Sequence, residues 1–334
     1  MKNKGSAWRK RLIAVGLVLG VQVLGVQVHA QADKTAQRAC PPNPEQPTQA
    51  SVQQASAAAR DRGFLWRLER DGRTSWLYGT IHIGRFEWIF PGPQVRAALQ
   101  DSRSIALELD LTDPATVQQF QQLSAAIPVP ALTADLQRRL AAQAERACLP
   151  QQQAAALHPL MQGITYTLLD ARWDDLHAAW AQEVVLAGIA KRTGRPVIAL
   201  ETPQTQVEAL FTADGPEALR RIEQMLDQLE AGKPRRQMLR LATAWEQGNL
   251  EELANFEQWC ECVLTEEDRE MMQRLQTDRN PGLAARIEQA HAEGEVFAAV
   301  GALHMTGPQG LPALLQARGF AVERVVFEPT AATH

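Results

Sequence analysis

The chain has 334 residues, with 34 Lys and Arg against 38 Asp and Glu for a formal net charge of −4, and 45% of its residues are hydrophobic. An acidic balance without a basic stripe argues against a nucleic-acid surface. The length and apolar content are ample for one large core, so a fibrous or wholly disordered chain is excluded as well.

Residues 1–30 read as a secretory signal. Lys2, Lys4, Arg9, Lys10 and Arg11 form a positive start, residues 12–28 are mostly apolar, and small residues suited to cleavage follow around Ala30 and Ala32. The competing reading is an uncleaved anchor, because the run is close to the lower length limit for a span. The chain is therefore expected to be periplasmic or secreted, with no membrane span once the signal is removed. Residues 31–60, rich in Gln, Ala, Pro and Ser, read as a flexible leader. The remainder, 61–330, is expected to form one domain.

Cys40, Cys148, Cys260 and Cys262 suit an oxidising compartment. Three pairings are possible. A bridge between Cys260 and Cys262 closes a very small ring, so long-range pairs through Cys148 are at least as plausible. A metal site made of these cysteines is disfavoured by their spacing.

In chain order, residues 64–69 and 74–78 flank Asp71-Gly72-Arg73, a hairpin signal. A short helix over 94–99 and a buried strand over 104–109 follow. Residues 113–193 have helical spacing, strongest over 174–190, and residues 196–201 form another buried strand. A second helical block, 203–293, is punctuated at Gly215-Pro216, Gly232-Lys233-Pro234, Gly248-Asn249 and Asn280-Pro281. A strand over 296–300, a helix over 311–317 and a strand over 320–327 complete the pattern. The fold class is α/β: a central mixed sheet assembled from N- and C-terminal strands, with helical layers and a largely helical insertion carried by segments 113–193 and 203–293.

One short motif occurs twice, as Gly79-Thr80-Ile81-His82 and as Gly301-Ala302-Leu303-His304, each following a strand. Glu108 and Glu201 stand at the ends of two further strands. If the four strands are neighbours, two imidazoles and two carboxylates converge where α/β folds collect ligands. Such donors suit Mn, Co or Zn, and a partly open shell leaves room for an activated water. Glu108, in an apolar strand, needs a partner or a coordinated ion. Glu201, just before Pro203, has a second reading as a helix cap. His158, His177 and His291 have no partner motif and read as structural.

These residues, together with residues 77–78, 106–110, 200–204, 278–280 and the glycines 307 and 310, resemble the TraB/GumN family from about residue 64 to 327. That family is related to the Tiki metalloproteases. The resemblance implies His82, His304 and Glu108 as metal ligands, and Glu108, Glu201, Arg279 and Asn280 as catalytic groups. Arg279 is placed near the site to stabilise an anionic intermediate or a substrate carboxylate, or else pairs with a glutamate. The implied activity is metal-dependent hydrolysis of a peptide or protein substrate. The alternatives are a peptide- or glycan-binding protein using the same cleft, and a metal-free hydrolase with a histidine base.

Overall fold

In the computed structural model, residues 39–211 and 215–327 are described. The signal read over residues 1–30 lies outside them. Six strands form one sheet: β1 (Phe64–Arg70), β2 (Arg73–Thr80), β3 (Ser104–Leu107), β4 (Val197–Ala199), β5 (Val296–Gly301) and β6 (Ala321–Val325), in the order β4-β3-β5-β2-β1-β6. β4, β3, β5 and β2 run parallel, and β1 is antiparallel to both β2 and β6. The sheet is therefore mixed and built from both ends of the chain, as the sequence pattern predicts.

The hairpin between β1 and β2 turns on Asp71 and Gly72, both at positive φ, the two-residue geometry that matches strand twist. β3 and β5 are buried along their whole length, as parallel strands covered on both faces must be. β4 differs from expectation. It is an edge strand only three residues long and no more than half-buried, because nothing pairs beyond it in the sheet. β6, the other edge, is largely exposed and carries Glu323 and Arg324, charges that discourage further pairing.

The helices Pro93–Gln100, Gln182–Thr193, Lys233–Glu246, Asn280–Glu293 and Leu311–Ala317 contribute buried residues to the main core with the sheet. A second, smaller core joins both helical segments through Leu136, Leu140, Tyr166, Ile222, Leu226 and Leu229. The helix breaks read in the sequence are helix starts: Gly215–Glu230 begins at Gly215, Lys233–Glu246 follows Gly232 at positive φ, Asn249 caps Leu250–Ala254, and Pro281 lies in the first turn of Asn280–Glu293. Proline is tolerated there because the first-turn N–H groups have no helical acceptor.

Two expectations are corrected. Residues 174–181 do not continue a helix: 3-10 turns at Ala171–Asp174 and Ala178–Trp180 flank a bridge between Gly84 and His177. Asp175 enters the left-handed region there, and Gly84 takes the backbone bonds that a helix would have used. The leader read over 31–60 is ordered where it is described. Thr48 and Ser51 form a reciprocal cap on the helix Gln49–Ala57, and Cys40 is bonded to Cys148. Composition misses this, because one covalent tie anchors a segment that buries almost no apolar surface. The second bond joins Cys260 to Cys262, with Glu261 between them at positive φ. His158, His177 and His291 are buried and hydrogen-bonded within the fold.

Trp245 ties the helical segment to the end of β2. It is 1% exposed, its Nε1 donates to the Gly79 carbonyl at 2.8 Å, and its carbonyl accepts from Gly63 N–H. Trp245→Ala is expected to cost about 3–5 kcal/mol, measured by denaturant unfolding, from lost burial and the cavity left behind. A cost within experimental error of zero would show that this contact does not hold the strand end.

Candidate functional site

Register brings the two Gly-x-x-His motifs side by side. Gly79 pairs with Val300 and Thr80 with Gly301 across β2 and β5, while Leu107 of β3 pairs with Ala299 and with Ala199 of β4. Beyond the carboxyl ends of four adjacent parallel strands stand, in sheet order, Glu201, Glu108, His304 and His82. Glu108 follows its strand by one residue, Glu201 and His82 by two, and His304 lies in the 3-10 turn Ala302–Met305.

Gly301 is where they meet. A Cβ on this residue would lie 3.4 Å from Glu108 Oε1, 3.6 Å from His304 Cδ2 and 3.7 Å from His82 Nε2. The glycine thus leaves open the small space the three side chains share. Its own N–H donates to Glu108 Oε1 at 2.8 Å.

Each imidazole is fixed through Nδ1. His304 donates from Nδ1 to Asn280 Oδ1 at 2.6 Å, and the Asn280 amide is oriented by donating from Nδ2 to the Gln309 carbonyl at 2.7 Å. His82 Nδ1 lies 3.1 Å from Glu183 Oε1, which also accepts from the Thr80 hydroxyl. The other Glu183 oxygen is buried without a hydrogen-bond partner.

Arg279 joins the carboxylates. Its Nη2 donates to Glu108 Oε2 at 2.5 Å and to Glu201 Oε2, its Nε to Glu201 Oε1 at 2.8 Å, and its Nη1 to the Leu275 carbonyl at 2.8 Å. Nη1 also stands 3.4 Å from His304 Nε2. Gln206 Nε2 reaches both Glu108 and Glu201, at 3.2 and 3.3 Å. The Arg279 side chain is 12% exposed and those of Glu108 and Glu201 are 7% and 5% exposed. A buried charge set of this kind depends on mutual compensation.

The charges follow from these contacts. Burial alone would raise the Glu108 carboxyl, but the neighbouring His304 and Arg279, with His82 and the Gly301 N–H, bring it down to about 2. Burial lowers His304 to about 4 despite Glu108, so this imidazole is neutral at pH 7. The Glu183 charge raises His82, to about 9. The His82 side chain is itself 67% exposed.

All six residues singled out in the sequence therefore lie together. Those missed are Glu183 and Gln206. Both sit on helices; Glu183 meets His82 from 101 positions away, and Gln206 meets Glu108 from 98 positions away and Glu201 from 5. Among the described residues, no group of three or more His, Cys, Asp and Glu is arranged to hold a metal ion. Both oxygens of Glu108 are already engaged, by Gly301 and by Arg279. The types of donor nevertheless suit a divalent ion. Two imidazoles with Nδ1 held by an amide or carboxylate oxygen are the usual outer arrangement of metal-bound histidines.

Comparison with known proteins places these features in a lineage. The TraB/PrgY/gumN family model matches residues 64–324. A stretch of 55 residues is 44% identical to a protein named metalloprotease TIKI1 from Danio rerio, covering 16% of this chain and 11% of that relative. No solved structure matches.

Glu183→Gln is expected to return His82 towards the ordinary histidine range near 6.5, read by NMR titration of its ring protons. The sign follows from the raised pKa. The His82–Glu183 contribution to stability is complete below about pH 6.5 and is lost as pH rises towards about 9. An unchanged His82 titration in the variant would contradict the pairing.

Proposed function

The chain belongs to the TraB/PrgY/gumN family, and on that premise we propose that it is an exported hydrolase acting on peptide bonds through the cleft at the ends of β2, β3, β4 and β5. The observation that carries this reading is the convergence of His82, His304 and Glu108 on the space left by Gly301, with both imidazoles held from behind by Glu183 and Asn280. The named metalloprotease relative supports the peptide-bond assignment. The disulfide bonds support an oxidising compartment. Among the described residues, no helix is long and apolar enough to cross a membrane.

The residues that would hold a divalent ion, Mn, Co or Zn, are His82, His304 and Glu108, and such an ion supplies Lewis acidity and a more acidic water. The other groups act around them. Asn280 accepts the Nδ1 proton of His304 and so keeps the Nε2 lone pair available, while Glu183 orients His82. Glu201, on the edge-strand side, is the carboxylate outside the proposed ligand set and the candidate base, its oxygens held by Arg279 and Gln206. Arg279 offers its guanidinium to the oxygen that becomes anionic as the carbonyl is attacked. An open groove of about 680 Å³ is lined by Leu200, Glu201, Thr205, Arg274, Arg279 and Arg286, and it touches the site at Glu201 and Arg279, not at the histidines or Glu108.

Metal analysis of the purified protein beside His82→Ala and His304→Ala, combined with a peptide-cleavage screen, tests this function. The expected result is bound metal in wild type, its loss in both variants, and cleavage that stops with chelator. Cleavage that persists undiminished in chelator would replace this reading with a metal-free mechanism using the histidine as base. Peptide binding without any product would replace it with a binding protein.

A further inference from the structure

We propose that the substrate is held as an added strand: an extended peptide segment pairs through its backbone with the outer edge of β4 and continues along the open groove to Glu201 and Arg279. This rests on the reading of the chain as a peptide hydrolase, and it names the form in which the peptide is recognised.

The backbone of β4 supplies the pairing groups. Its inner side is spent on β3: Ile105 N–H donates to the Pro196 carbonyl at 3.1 Å, and Leu200 N–H donates to the Leu107 carbonyl at 2.8 Å. Backbone groups of successive strand residues point to opposite sides, so those of Val197 and Ala199 face outward. Among the described residues no strand lies beyond β4, and the outer side receives one long hydrogen bond, from Arg286 Nη2 to the Ala199 carbonyl at 3.3 Å. The two edges of the sheet are finished differently. β6 carries Glu323 and Arg324, and Arg324 Nη2 is fastened to the Gly248 carbonyl at 2.7 Å. β4 is Val-Ile-Ala, with no charge inside it. An edge left without charges is a template for another extended chain.

The groove continues this edge. Ala199, Leu200 and Glu201 line one side of it, and Arg279, Gly282 and Arg286 line the other. A Cβ on Gly282 would meet nothing within 4 Å, so the passage is open beside the helix Asn280–Glu293. A chain paired about 4.8 Å outside β4 and running past its carboxyl end enters between these sides. There it meets Glu201, the candidate base, and Arg279, the group offered to the anionic oxygen. Charge gives the segment its character. Arg195, at the amino end of β4, is bonded to the Thr193 hydroxyl and the Gln100 carbonyl, and Arg286 to Gln289 and the Ala199 carbonyl. Among the described residues neither arginine is ion-paired, so an acidic side chain lying over β4 gains a partner at either end. Inside the groove the signs reverse, because Glu208 and Asp278 are hydrogen-bonded to Gln204 and Gln273 rather than to a cation. The segment that fits is therefore acidic over the strand and neutral or basic where it enters the groove.

The full chain is incubated with a pool of randomised dodecapeptides; retained peptides are sequenced, and backbone amides of the protein are followed by hydrogen exchange. The expected result is slower exchange at Val197 and Ala199 with peptide bound, an unchanged Leu200 amide, and enrichment of Asp and Glu among the retained sequences. Ala199→Pro deletes one outward donor and no bond to β3, and is expected to weaken retention by about tenfold. Should that variant fail to fold, Gly282→Leu, which narrows the groove from its other side, is expected to weaken retention likewise. Peptide retained with Val197 and Ala199 exchanging as before would overturn the added strand while leaving the hydrolase reading standing. So would slow exchange at both amides before any peptide is added, since another part of the chain would then cover the edge. Retained peptides without acidic enrichment would overturn the roles of Arg195 and Arg286. A wild-type chain that neither retains nor cleaves any peptide would instead remove the peptide-hydrolase reading itself.

Discussion

Three buried charges at the carboxyl end of the sheet cannot be understood singly. Glu108 and Glu201 stand beyond neighbouring strands β3 and β4, and Arg279 precedes the helix Asn280–Glu293 from the far end of the sequence. Each would be costly to bury alone, and each is compensated by the others. The pairing therefore constrains where that helix begins. With it comes Asn280, 1% exposed, whose amide fixes the second histidine.

The parallel sheet does the rest of the positioning. Four strands running the same way release their chains at one edge, so residues far apart in sequence arrive a few ångströms apart. The β2–β5 register places Thr80 opposite Gly301, and the absence of a side chain on Gly301 keeps the meeting point open. The site is asymmetric despite its repeated motif. His304 is buried, neutral and backed by an amide, whereas His82 is largely exposed and backed by a carboxylate. The two motifs thus deliver the same residue type into different electrostatic surroundings. One imidazole stands neutral beside a cation, and the other is paired with a carboxylate.

Much of this was legible in the sequence. Apolar runs marked the strands, the Asp71-Gly72 turn marked the hairpin, and the placement of His82, Glu108, Glu201 and His304 after strands pointed to a shared edge. Arg279 and Asn280 were reached through resemblance to a family, since nothing local to them signals a site. What stayed hidden is what depends on long-range geometry. Glu183 looks like any acidic first-turn residue, and only the fold sets it behind His82. The short edge strand β4 reads as buried because Val197 and Ile198 are apolar, yet its exposure is decided by the lack of a neighbouring strand. Residues 174–181 have helical spacing, but a backbone bridge to Gly84 prevailed. The Cys40–Cys148 bond lay among pairings that spacing cannot rank.

The proposed function requires that the two Gly-x-x-His motifs and Glu108 form a single ion site in front of Gly301. Anomalous X-ray scattering from crystals grown with Mn tests it most directly. One strong peak within bonding distance of His82, His304 and Glu108 is the expected result. A map with no peak there at saturating Mn would contradict it.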